Sequence, residues 1–330
     1  MESTPYNIAI VGGGPAGLSA AIWSARYLHS VVLIDSGDPR NWETRGINGF
    51  LGLPAVCPAE LRERGRTDAR QYGVRLVDGS VLRVEREGDD RFGLCLEGGE
   101  RAVAERVLLA IGLRDVWPDI PGLSHAYGAN AHVCPDCDGY EARDKKVVVI
   151  GNGRHAVGMA LDLTTWTRDV IICTNGRPAE MDEPEYCEKL DALNIPVLTE
   201  PVTRVCCEGA KITCLQLANG LQLDADKVFF TIAQYPADDL ASQLGCARDR
   251  GGHVITDEHQ HTSVRHVYAA GDLTPGPQLA IVAAAKGTVA AMAMHKSLVP
   301  AERRLTPISP SARRPSSASS RATPRARARG

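Results

Sequence analysis

A short β-rich run, Tyr6 to Val11, leads straight into Gly12-Gly13-Gly14-Pro15-Ala16-Gly17, and Leu18 to Leu28 then has the apolar spacing of a helix. This order of strand, glycine turn and helix constrains the fold more than any other feature, because each glycine answers a separate steric demand. Gly12 permits the sharp turn, Gly14 lets a diphosphate approach the backbone, and Gly17 lets the helix lie close to the strand. Pro15 and Ala16 complete the turn at a helix N-terminus, whose field favours phosphate. A second strand, Ser30 to Ile34, ends in Asp35, near the spacing at which an acidic side chain meets the ribose of a bound dinucleotide. An ordinary tight turn would not need the strand, the helix and the terminal acid together.

The same grammar recurs mid-chain. Lys145 to Ile150 is a strand, Gly151-Asn152-Gly153-Arg154-His155-Ala156 is the turn, and Val157 to Trp166 is helical. The expected fold class is therefore α/β, with two Rossmann-like dinucleotide-binding domains of three-layer ββα type. The strand after the second helix, Asp169 to Cys173, ends in Thr174-Asn175-Gly176-Arg177-Pro178. NAD calls for an acid at that strand end, and NADP for well-placed arginines facing a 2′-phosphate. Only Arg177 qualifies, with a proline behind it and Glu180 and Asp182 nearby to oppose a phosphate, so NADPH binding stays open.

Between the units lie a strand pair around Val81 to Glu97, a strand Arg106 to Ile111 ending at Gly112, and a crossover at Pro118 to Gly122. After the second unit, Lys227 to Ile232 mirrors the strand at Arg106. His266 to Ala270 then runs to Gly271-Asp272 and an Ala-rich helix, Gln278 to Leu298. The first domain is expected to be discontinuous: 1–116 and 241–299, with 117–240 inserted and 300–330 as a tail.

Composition narrows the function classes. The formal net charge is −3, and residues 301–330 contribute +7 from eight Arg and one Glu, so the first 300 residues carry −10. An acidic body does not read nucleic acid, and the only basic cluster, Arg303 to Gly330, is a Ser/Pro/Arg/Ala stretch without apolar periodicity, expected to be disordered. No secretory leader precedes the first strand, and Leu279 to Met294 is too short and too Ala-rich to span a bilayer. A cytoplasmic protein with no membrane contact is expected. In that compartment most of the ten cysteines should be reduced and buried.

One pair stands apart. Cys134-Pro135-Asp136-Cys137-Asp138-Gly139 has the spacing of a small reversible disulfide. A zinc site would want a second pair at ribbon or finger spacing, and there is none; His132 lies only two residues upstream of Cys134, and no metal is expected. Pro135 suits the first helical position with Cys134 at the cap, where orphan amides favour a thiolate. Asp138, directly beside Cys137, is placed to move a proton as a thiol leaves or re-forms; its plainer role is a turn residue before Gly139. Late in the chain, Asp272 could accept from a cofactor hydroxyl, and amides near Gln278 and Leu279 could stabilise a negatively charged ring system.

The GGGPAG turn, the CPDCDG between two Rossmann units and the late Tyr268-Ala269-Ala270-Gly271-Asp272 together resemble the low-molecular-weight thioredoxin reductase family, over about residues 6–298. The resemblance implies FAD in the discontinuous domain, a smaller insert carrying the cysteines, and a homodimer. It further implies that Cys137 lies against the flavin, that Cys134 exchanges with substrate, that Asp138 is the acid, and that Ala110 and Gly112 belong to the stretch contacting flavin. Pro39-Arg40-Asn41, Phe50-Leu51-Gly52, Gly65-Arg66 and Tyr72-Gly73-Val74 are more similar to the dithiol oxidases of gliotoxin and holomycin type, which use oxygen rather than NADPH. In that subgroup Arg40 and Asn41 fall among the cofactor-binding residues.

Two electron flows follow. In the first, a small-molecule dithiol is oxidised to an intramolecular disulfide and oxygen becomes hydrogen peroxide. In the second, NADPH reduces a thioredoxin-like protein, a reading supported by Asp138, because the oxidases often carry His there. A flavin- or nucleotide-binding regulator without turnover is a third reading, which the intact CxxC opposes.

Overall fold

The structure is a computed structural model that describes residues 4–177 and 181–305. The described residues up to Ser297 form one compact unit, and those from Leu298 group apart from it. Most of the basic stretch expected to be disordered lies outside the described residues.

The chain opens with β1 (Tyr6–Val11), α1 (Pro15–Arg26), β2 (Val31–Asp35), α2 (Pro58–Gln71) and β3 (Arg75–Asp78), followed by β4 (Val81–Glu87), β5 (Arg91–Leu96) and β6 (Arg101–Leu109). β1 lies between β2 and β6, parallel to both, with Ile8 opposite Val31 on one side and Arg106 on the other. Ile8 to Val11 and all of β2 are buried, as parallel strands covered on both faces must be. A crossover ribbon, β7 (Leu113–Val116), then leads into the second unit.

That unit runs α3 (Leu123–Ala126), β8 (Ala131–His132), α4 (Pro135–Asp138), β9 (Val147–Ile150), α5 (Gly153–Leu163), β10 (Val170–Cys173), α6 (Pro184–Ala192) and β11 (Val197–Leu198). Three antiparallel strands follow, β12 (Val202–Glu208), β13 (Lys211–Leu217) and β14 (Gln222–Asp224), before β15 (Lys227–Phe230) rejoins the parallel sheet. The order β11-β10-β9-β15-β8 puts the edge strand β8 immediately before the CxxC. Alternate residues of β9 serve opposite layers: Val148 and Ile150 pack with Val205, Ile212 and Leu215 of the antiparallel strands, while Val147 and Val149 pack with Ala156, Val157 and Leu163 of α5. This is the three-layer ββα arrangement expected from the sequence.

The chain returns through β16 (Ala233–Pro236), antiparallel to β7, and α7 (Leu240–Gln243) to β17 (Val267–Ala269), which pairs parallel with β6, and ends in α8 (Ala280–Leu298). The first sheet therefore takes strands from both ends of the chain. α8 begins at Ala280, two residues after the Gln278 expected to open it; the Ala283 amide donates to the Leu279 carbonyl at 2.9 Å, and the side chain of Gln278 is engaged elsewhere.

Backbone meets backbone where α1 begins. A Cβ on Gly17 would overlap the Gly12 carbonyl oxygen, and one on Gly287 of α8 would overlap that of Ala16. Neither obstacle is a flexible side chain, so a substituent forces α1 off the turn before it or α8 off α1. Gly287→Val is expected to lower stability by about 1–3 kcal/mol, read as a lower urea midpoint with an unchanged slope, whereas Gly14→Ala, whose added methyl meets nothing, leaves the midpoint within about 0.5 kcal/mol.

Candidate active site

Pro135 begins α4 and Cys134 caps it: the Cys137 amide donates to Cys134 Sγ at 3.2 Å. Cys134 and Cys137 are joined in a disulfide, their Cα atoms 5.3 Å apart. Gly139 is required behind them, because a Cβ there would overlap the Trp166 ring. The short helix is thus pinned between the end of β8 and the indole that follows α5.

The first unit reaches the pair through Asn48, whose Nδ2 donates to the Cys137 carbonyl at 3.2 Å and lies 3.5 Å from Asp138 Oδ1. Asp138 Oδ2 faces His132 Nδ1 at 3.3 Å. His132 Nε2 in turn lies 3.3 Å from Lys227 Nζ, which also donates to the Ala129 carbonyl at 2.9 Å. Burial pushes the Lys227 amine down, against the opposing pull of Asp138 and Glu141. Asn48, His132 and Lys227 were not read as site residues from sequence; no spacing marks them, since 95 positions separate the last two.

Around the first glycine turn, a Cβ on Gly12 would strike the Ala110 carbonyl, and Gly14, the cap before Pro15, faces open space. Open space beside a helix N-terminus that carries no side chain fits the cradle a diphosphate requires. Asp35 sits beneath Gly13, where its carboxylate would overlap an added methyl; it pairs with Arg62 and lies 3.6 Å from Arg66. Arg66 is buried, and its Nη1 has no hydrogen-bond partner, a donor left over beside the strand end. Both observations fit a dinucleotide bound there.

Arg40 is the hub at the other end of this groove. Its Nε donates to both Asp115 oxygens at 3.0 and 2.9 Å, and its Nη1 to Asp272 Oδ2 at 3.0 Å and Gln278 Oε1 at 2.7 Å. Burial works against the guanidinium charge, and the carboxylates of Asp115 and Asp272 outweigh it, holding its pKa above the ordinary value. Asp115 lies on β7 and Gln234, which donates to Gln278 at 3.1 Å, on β16, so the hub fastens the crossover ribbon to Gly271-Asp272. Gly271 has φ +77° and sits against Ala16. Gly112, at φ +69°, accepts from the Ala237 amide, and Asn41 closes a turn by accepting from Thr44. Leu279 directly precedes α8.

The second glycine turn is different. The Gly153 amide donates to Met181 Sδ at 3.2 Å, and Asn152 Nδ2 donates to the Arg177 carbonyl at 3.0 Å. Groups that would face a nucleotide are met by the chain itself. Glu180, expected to oppose a phosphate, lies outside the described residues.

The other cysteines correct one expectation. Only Cys173 and Cys246 are fully buried, while Cys57 and Cys187 are exposed, because the first precedes α2 and the second lies on the outer side of α6. Burial pushes the Cys173 thiol up to about 12, which makes it inert at neutral pH.

The family model for "Pyridine nucleotide-disulphide oxidoreductase" matches residues 6–287. Thioredoxin reductase tcpT of Claviceps purpurea is 30% identical over 80% of this chain and 85% of its own. Among solved structures, HlmI is 36% identical with a TM-score of 0.85, covering 89% of this chain and 93% of that one. An oxidoreductase from Agrobacterium tumefaciens is 28% identical with a TM-score of 0.81, over 89% and 98%. In the described residues no helix is long and apolar enough to cross a membrane. The chain therefore belongs to the pyridine nucleotide-disulphide oxidoreductases, as an enzyme of their thioredoxin reductase-like branch.

Proposed function

We propose that this flavoprotein oxidises a small-molecule dithiol to an intramolecular disulfide, with oxygen as the final acceptor. The observation that carries the reading is the second glycine turn, where Met181 Sδ takes the Gly153 amide and the Arg177 carbonyl takes Asn152. A chain that draws electrons from NADPH needs the Gly153 amide, at the start of α5, for the nucleotide. The resemblance of Pro39-Arg40-Asn41 and Gly65-Arg66 to the gliotoxin- and holomycin-type oxidases supports the same direction.

FAD is the family's cofactor, and the residues of the first unit fit it. The turn amides of Gly13, Gly14 and Ala16 would hold the diphosphate, Asp35 the ribose, and Gly271, Asp272 and the start of α8 the flavin end, with Arg40 fixing Asp272 and Gln278 in place. When bound, FAD supplies a two-electron acceptor for thiols that oxygen can regenerate, with release of hydrogen peroxide. The domains proposed for these roles are 1–116 with 241–299 for FAD, and 117–240 for the cysteines.

The chain's own residues carry the thiol chemistry. A substrate thiolate attacks Cys134 Sγ, the bond to Cys137 breaks, and Cys137 leaves as a thiolate on the side joined to the first unit by Asn48. The second substrate thiol gives its proton to Asp138 and attacks the substrate sulfur of the mixed disulfide. Cys134 then leaves and takes up that proton. The substrate disulfide departs with two electrons fewer and the cysteine pair is reduced.

The runner-up reading, an NADPH-dependent reductase of a thioredoxin-like protein, is favoured by Asp138, which stands where the reductases carry their acid. We propose a homodimeric cytoplasmic enzyme in either case. Aerobic dithiothreitol with the purified protein should yield one hydrogen peroxide per dithiol oxidised, and Cys134→Ser or Cys137→Ser should abolish it; oxidation without peroxide, or peroxide unaffected by both substitutions, contradicts the oxidase. Asp138→Asn is expected to slow turnover about 100-fold with little change in flavin content, measured by oxygen uptake and visible absorbance.

A further inference from the structure

His132 and Lys227 reach the cysteine motif from two strands that meet only in the folded sheet. The parallel register sets Phe229 of β15 opposite His132 of β8. Lys227, two residues before Phe229, faces the same side, because strand side chains alternate. That side is the helix layer, in which Phe229 packs with α5 and which α4 adjoins. The His132 ring lies 5.3 Å from that of Phe229 and is 5% exposed, so it meets polar groups only at its two nitrogens.

Those two contacts fix its proton. A lysine ammonium donates and cannot accept, so Nε2, 3.3 Å from Lys227 Nζ, is the accepting nitrogen. The ring hydrogen therefore sits on Nδ1, the nitrogen nearest the Asp138 carboxylate, with Oδ2 3.3 Å away in ion-pair contact rather than in an aligned hydrogen bond. Lys227 is itself steered by the Ala129 carbonyl at 2.9 Å. Other groups that act on this cluster are Glu141, Lys145 and Arg45, through Lys227, and Tyr127, which shares the field of Asp138. Asn48 is the neighbour on the other oxygen of Asp138.

We propose that Lys227 and His132 are positioning residues for thiol–disulfide interchange: Lys227 sets the His132 tautomer, and His132 holds the Asp138 carboxylate where it exchanges a proton with the reacting thiols. The proposal rests on the reading of Cys134 and Cys137 as the interchange pair and applies to either direction of electron flow. With the carboxylate held, the second substrate thiol gives its proton to Asp138 as its sulfur attacks, and Cys134 takes that proton as it leaves. Without it, the step waits for free thiolate, whose concentration rises about tenfold per pH unit below a thiol pKa near 8.5.

The test is the shape of a pH profile. Holoenzyme is mixed anaerobically with dithiothreitol between pH 6 and 8, quenched in acid, and the oxidised dithiothreitol formed is counted by mass spectrometry. Rates are divided by the thiolate concentration of dithiothreitol to remove the first attack. The account expects a corrected profile that is level or falling for the wild type, and one that climbs about tenfold per pH unit more steeply for Lys227→Met and for His132→Phe. Lys227→Arg, which keeps a cationic donor, is expected to return the wild-type shape. If both Lys227→Met and His132→Phe keep the wild-type shape, even at uniformly lower rates, the relay is overturned, since a purely structural defect scales every point alike. Peroxide formation is scored separately: a normal relay profile without peroxide contradicts the oxidase reading alone.

Discussion

The close approach of backbone to backbone at the start of α1 is the constraint on which the rest of the structure depends. The Gly12 carbonyl lies under Gly17, and the Ala16 carbonyl under Gly287 of α8. Because no side chain intervenes, β1, α1 and the last helix pack as one block, and open space is left beside Gly14 at the start of α1. The sheet that carries this block takes β17 from the far end of the chain. Closing it brings Gly271-Asp272 beside the turn that formed first.

Charge then ties the second unit to this block. Arg40 gathers Asp115, Asp272 and Gln278, and through Gln234 both strands of the crossover ribbon. An ion network this buried is worth little as net stability, since desolvation offsets most of the attraction, but it discriminates strongly between geometries. Asn48 adds a direct bond to the Cys137 carbonyl. The disulfide is thereby held toward the unit that fits FAD, while the turn of the second unit closes on Met181.

What was legible in the sequence was local. The two glycine turns and the CxxC announce themselves within a few residues, because the steric demand and the residue meeting it are neighbours in the chain. The cap at Cys134 and Pro135 follows from the same short-range logic and is present in the structure. Helix ends were less legible: α8 starts two residues late because Gln278 is drawn into the Arg40 hub by partners more than 40 positions away. His132 was weighed only as a metal ligand, and its pairing with Lys227 depends on the register of β8 and β15, which no spacing encodes. Met181 is hidden for the same reason, since a methionine 28 positions from a glycine carries no sign that its sulfur will cap that amide.

The central claim is that electrons enter from a dithiol and not from a nicotinamide. The most direct measurement is anaerobic: the visible flavin absorbance of the purified protein is recorded as NADPH is added to one sample and dithiothreitol to another. The account predicts bleaching by the dithiol within seconds and none by stoichiometric NADPH over the same time. Rapid stoichiometric bleaching by NADPH would contradict it, and would mean that Met181 and the Thr174 to Arg177 segment yield to the nucleotide.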